Sequence, residues 1–301
     1  MQKIGRRRIT TSFSTFRYRI ERLPGYHDPA QRQQLGKLAT RCEGLFELAA
    51  IYCRELEEGF PGFTLSEKLG KLLAKVNYVA SHPNSALYAE YYHILQRAYP
   101  EDTSPEESFS RYRQVAGALV HLREPLGIQT LSNLLGLELE QTQAALGPLS
   151  SVVAVPDSDD TPISFYHASF PEFLIPLSAS RDDPNYSPYH IHALKHDLSL
   201  TDQCLSIMNS MLVRNICDLS NLFMLNKEIP NLSQRLDAHV PAHLRYAVLH
   251  WAWHLAPSDC TRVDKLHDWC QGKMMFYLEL MSLLGRCDAV LPLLDHAIGW
   301  A

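Results

Sequence analysis

Apolar residues recur at helical spacing along nearly the whole chain, and only once, between Val152 and Tyr166, does the period fall to two. A helix brings every third or fourth residue to one face, whereas a strand alternates faces, so this pattern restricts the chain to a mainly α fold with one small β-hairpin. Asp28-Pro29 is a helix-start signal, followed by Leu35, Leu38 and Cys42 on one face. Gly44 interrupts, and Leu45, Phe46, Ala49, Cys53 and Leu56 resume the stripe, so two helices meet there. Thr64 with Glu67 spells a capping box before Leu65, Leu69, Leu72 and Leu73, and a further helix runs from Ser85 to the stop at Pro100.

Ser104, Pro105 and Glu107 open the next segment, with Tyr112, Ala116 and Leu119 on its inner face. Short helices are expected at Thr130–Leu135, closed by Gly136, and at Glu140–Leu149. Val152–Val155 and Ile163–Tyr166 read as strands joined by the turn Asp157–Asp160, and Ser169 with Glu172 caps a helix over Phe170–Leu177. Three helices followed by a hairpin is the layout of a winged helix. The polar stretch Ser178–Pro188 marks a boundary. Beyond it come helices through Cys204, Leu205, Met208 and Leu212, from Pro241 through Trp251, through Leu280 to Gly285, and through Val290, Leu293, Leu294 and Ala297. The expected organisation is a helical domain over 1–102, a winged helix over 103–180 and a C-terminal helical domain over 181–301.

The charge balance narrows the function. The formal net charge is −5, and no Lys or Arg occurs between Glu124 and Arg181, a span holding Glu138, Glu140, Asp157, Asp159, Asp160 and Glu172. A phosphate backbone repels such a module, so no nucleic-acid partner is expected. Arg6–Arg8 is a short basic cluster that reads as a solvated end. No apolar run reaches the roughly 18 residues of a membrane span. The seven cysteines lack C-x-x-C spacing and read as small hydrophobes in a reducing, cytoplasmic setting.

Chemistry-bearing motifs are few. A phosphate loop needs G-x-x-x-x-G-K-[S/T], because clustered backbone N–H groups and a lysine hold the phosphates. Gly36-Lys37, Gly70-Lys71 and Gly272-Lys273 lack both the earlier glycine and the hydroxyl residue. His250 and His254 share a helix face, but Trp251 stands where a zinc protease carries its general base. These histidines, and His190, His192 and His196, read as ordinary helix and loop residues, with no metal or cofactor expected.

Three ordered segments resemble the C-terminal half of the NACHT-type (STAND, NLR-like) signal-transduction ATPases, particularly the fungal group. Arg41-Cys42-Glu43-Gly44-Leu45-Phe46 resembles the G-L-F motif of the helical lid. Tyr112–Val115, Leu134–Leu137 and His167-Ala168-Ser169-Phe170-Pro171-Glu172-Phe173-Leu174 resemble the winged helix and its terminal H-x-S-F-x-x-F-L motif. Leu212–Cys217 and Arg245–Leu255 are similar to the following helical region. The resemblance implies nucleotide contact by His167 at the terminal phosphate and by Gly44, Leu45 and Phe46 beside the base, given a nucleotide core in trans. Phe46 replaces the proline of better-known relatives, and a glycine helix junction explains the same residues without a ligand. A hydrogen bond at the strand-to-helix junction, with Ser169 capping, likewise explains His167.

This chain carries no phosphate loop or magnesium-binding acid, so no enzyme is expected. The expected function is a non-catalytic regulatory fragment of a truncated NTPase, whether a complete product or a piece of a longer one. It is expected to act through protein–protein contacts, a full-length relative being one candidate partner, and no small-molecule substrate is expected. Alternatives are an independent α-helical scaffold or adaptor and, further off, a winged-helix transcriptional regulator. A lid without its core implies an exposed apolar face over Leu35–Leu56.

Overall fold

The computed structural model describes residues 28–42, 46–57, 60, 62–74, 85–102, 105–159, 161–175, 187–191, 193–255 and 263–300. The fold is mainly α, with one two-stranded antiparallel sheet among the described residues. The chain divides into two compact units of interleaved segments. The first is Met1–Ser110, Ala144–Val155 and Ile163–His190; the second is Arg111–Gln143, Pro156–Pro162 and Ile191–Ala301. The interval 103–180 therefore contributes to both.

The first unit opens with α1 (Pro29–Arg41), whose N-cap Asp28 accepts from the Ala30 N–H at 3.0 Å. α2 (Phe46–Glu57) follows, then α3 (Leu65–Leu73), where the Thr64–Glu67 capping box is complete. α1 packs on α3, and Arg41 donates to the Leu72 and Leu73 carbonyls at 3.2 and 2.8 Å. Those carbonyls are among the last of α3 and have no helical donor of their own, so a cation there meets both a hydrogen-bonding and a dipole need. The apolar face expected to be open over Leu35–Leu56 is instead closed. Leu35, Leu38, Leu48, Ile51 and Leu56 are all buried, because α2 also packs on α3 and on α4 (Ser85–Ala98). Inside this unit Glu55 is buried and paired with Arg97. A carboxylate removed from water needs such a partner.

Two helices are shared between the units: α5 (Glu106–His121) and α7 (Leu139–Leu146), the latter continuing as a 3-10 turn to Leu149. Between them lies α6 (Ile128–Leu135), ended by Gly136 at φ +65°, the left-handed conformation that glycine adopts without strain. Strand β1 (Val153–Ala154) pairs with β2 (Ser164–Phe165), Val153 opposite Phe165 and Ala154 opposite Ser164. Each strand is two residues, shorter than expected, although Tyr166 N–H still donates to the Val152 carbonyl at 3.2 Å. α8 (Ser169–Leu174) is also shorter than the expected helix to Leu177. It lays Phe170 and Phe173 against Tyr91 of α4, with ring centroids 5.0 and 5.6 Å apart. Aromatic edges and faces carry opposite partial charge, which favours these tilted contacts.

The core of the second unit is built by α9 (Ala193–Met211), α11 (Ala242–His250), α12 (Val263–Leu283) and α13 (Cys287–Trp300), with α10 (Leu232–His239) between α9 and α11 in sequence. α9 packs on α11, on the 3-10 turn Trp251–His254 that extends it, and on α12. Leu244, Val248, Trp251 and Leu255 point inward as their spacing requires, and Trp251 and Trp269 meet at 5.1 Å between centroids. Gly285, at φ +68°, makes the turn from α12 to α13. Cys42, Cys53, Cys204 and Cys217 are buried as expected, whereas Cys287 is exposed; Cys260 lies outside the described residues. Burial pushes the Cys204 thiol up to about 12, well away from a reactive thiolate.

Candidate functional site

The hairpin and its exit are set from α2. Arg54 donates through Nε to the Ser151 carbonyl, at 2.6 Å, just before β1. Its guanidinium also lies 4.0 Å from the Tyr166 ring centre, just after β2, and pairs with Glu47 at 2.8 Å. One side chain thus grips both legs of the hairpin at its base. A flat, permanently charged group is suited to this, since it donates in its plane and stacks on a ring with its face.

His167 follows at the strand-to-helix junction and is exposed. Its Nδ1 accepts the Ser169 backbone N–H at 3.2 Å and lies 2.6 Å from Ser169 Oγ, which in turn is 2.8 Å from Tyr91 Oη. A nitrogen that accepts from a backbone N–H carries its lone pair there, so the Ser169 hydroxyl donates to it and the Tyr91 hydroxyl donates to Ser169. This chain places the proton of neutral His167 on Nε2. Burial pushes the Tyr91 phenol above its ordinary range, consistent with its role as donor. Among the described residues Nε2 has no hydrogen-bond partner. The junction thus presents one N–H donor outward, with its orientation set by two buried hydroxyls.

Ser169 does not cap α8, although its position predicts it. Ala168 is the N-cap and makes no side-chain capping bond, and Ser169 lies buried in the first turn. The His167 ring takes the orphan N–H instead. Gly44 and Leu45 lie outside the described residues, and Phe46 opens α2 with its side chain outside them. His167 is the one expected site residue whose surroundings are described.

The residues joining the two strands hold a role that their sequence did not announce. Asp159 Oδ1 accepts the Gln129 and Thr130 N–H groups at 2.6 and 3.3 Å, and Oδ2 accepts the Thr130 hydroxyl at 3.2 Å. It therefore caps α6 from 29 and 30 residues away. A carboxylate at a helix N-terminus satisfies free donors and opposes the positive end of the dipole. Gly127 is required beside it, because a Cβ there would stand 1.9 Å from the Asp159 carbonyl oxygen.

Of the two histidines that share a helix face, His250 is partly exposed, as a helix-surface histidine would be, whereas His254 is buried. His254 is 0% exposed. Tyr246 Oη lies 2.8 Å from His254 Nε2 and accepts the Arg123 N–H at 3.2 Å, so its own proton points at the imidazole. His254 is then protonated on Nδ1, 3.5 Å from Asp197 Oδ1. Burial holds the pKa of His254 below the ordinary histidine value, with Asp197 opposing. His250 is likewise lowered by burial, with Glu124 opposing from 3.5 Å. Among the described residues no three His, Cys, Asp or Glu side chains converge as a metal site would require. His190 is buried and accepts the Ser187 N–H; His192 and the His196 side chain lie outside the described residues.

Compared with known proteins, the chain matches no family model, no curated protein and no solved structure. Among the described residues no helix is long and apolar enough to cross a membrane.

Proposed function

We propose that this chain is a non-catalytic regulatory arm, comparable to the lid, winged helix and helical region of a NACHT-type ATPase, and that it works by contact with a separate protein. The observation that carries the reading is His167, at the exit of a hairpin, with Nδ1 engaged and an N–H turned outward. Such a donor suits an anionic oxygen, the atom type of a nucleotide's terminal phosphate. The order of α5, α6, α7, hairpin and α8 agrees with a winged-helix arrangement. These 301 residues carry no glycine-rich cradle and lysine of the kind a triphosphate needs, so in this reading the nucleotide is held by a core outside them.

The transcriptional alternative is disfavoured by the acid-only stretch and by Asp159, which fills the N-terminus of α6 with a carboxylate. The test is capture of the chain by a NACHT-type nucleotide-binding core held in its ADP-bound and nucleotide-free forms. The reading predicts tighter capture with ADP and loss of that difference in His167→Ala. Capture that ignores both the nucleotide and the substitution would contradict it.

A further inference from the structure

The outer face of α13 carries exposed apolar side chains. Inward, Val290, Leu293 and Ala297 are buried in the second unit. A second apolar stripe, Cys287, Leu291, Leu294 and Ile298, runs beside them at spacings of four, three and four, and Leu291 and Ile298 are 70% and 73% exposed. That alternation, over four positions that flank Pro292, is the spacing of a short helix–helix seam and suits another helix as its complement. At 100° per residue the stripe is bordered by the buried face on one side and by Asp288 and Asp295, both exposed, on the other. Arg286 Nε lies 3.6 Å from Asp288 Oδ1, a solvent-exposed ion pair, while Asp295 has no ion-pair partner among the described residues. An exposed pair of this kind is weak, so both carboxylates can be met by a partner's cation.

That edge decides the occupant. Two copies of this face set antiparallel would bring the Asp288 and Asp295 edges together, like charge on like. Set parallel, each acidic edge would have to meet the Val290 and Ala297 edge of the other copy, which is already buried in its own unit. An anionic lipid surface is repelled by the same two carboxylates. We infer that the outer face of α13 docks an amphipathic helix of a different protein, with an apolar seam against Leu291, Leu294 and Ile298 and a Lys- or Arg-bearing edge against Asp288 and Asp295. This inference is independent of the His167 reading.

The probe is a pair of synthetic helical peptides with leucine at the seam positions and either lysine or glutamate along one edge, titrated into the full chain by fluorescence anisotropy. The lysine peptide is expected to bind about fivefold more tightly, the size of two exposed ion pairs. The preference should reverse in the Asp288→Lys/Asp295→Lys variant. Leu291→Asp/Ile298→Asp should abolish binding of both peptides while leaving the circular dichroism and melting temperature unchanged, since both side chains are exposed. Equal binding of the two peptides, or binding of neither, would overturn the inference. So would a dimer of the chain alone that Leu291→Asp/Ile298→Asp disrupts, or association with phosphatidylserine vesicles in place of peptide.

Discussion

His167 and His254 are each held by a neighbouring hydroxyl, yet the two regions do opposite things with the ring. At the hairpin exit, Tyr91 and Ser169 engage Nδ1 and leave Nε2–H facing outward. In the second unit, Tyr246 engages Nε2 and Asp197 faces Nδ1, and no part of the ring reaches solvent. The tautomers are reversed because the hydroxyl meets a different nitrogen in each case. One arrangement leaves a donor facing solvent; the other locks a neutral imidazole into a core. Histidine alone predicts neither outcome, and burial with the identity of the engaged nitrogen decides it.

The largest effect should come from the buried ring. His254→Leu leaves the Tyr246 hydroxyl proton without an acceptor in the core and is expected to cost about 2–4 kcal/mol in urea unfolding. The pH response should separate the regions further. His254 and His250 have pKa values lowered by burial in the folded chain, so the unfolded chain binds their protons first. Their contribution is intact above the ordinary histidine value of about 6.5 and is lost as pH falls from there through the lowered folded values. Unfolding midpoints measured from pH 7.5 to 5 should therefore fall, less steeply in His254→Leu than in His167→Ala. An equal slope in the two variants would erase the distinction.

A smaller loss is expected at the hairpin base. Arg54→Ala removes the donor to Ser151 and the cover over Tyr166, at a cost of about 1–2 kcal/mol, with faster hydrogen exchange at the Tyr166 amide. His167→Ala should cost least, about 1 kcal/mol, the usual worth of a helix cap. A loss as large as that of His254→Leu would mean that His167 is a core residue and not a presenting one.

What was legible in the sequence is what is local. Asp28-Pro29, Thr64 with Glu67, Gly136 and Gly285 mark helix ends through contacts within a few residues, and the structure has each of them. The single change of period located the hairpin. Tyr91 meets Ser169 across 78 residues, and Asp159 caps α6 across 29 and 30, and no pattern along the chain encodes such pairings. Ser169 shows the same limit: its position suits a cap, but Tyr91 and His167 claim its hydroxyl. The apolar stripe of α1 and α2 was legible, while the fact that α3 and α4 cover it was not.

The central claim, that the chain orients and contacts but holds no nucleotide of its own, is tested most directly by calorimetric titration of ATP into the purified chain with and without magnesium. The account predicts no heat of binding in either case. Micromolar, magnesium-dependent binding would contradict it.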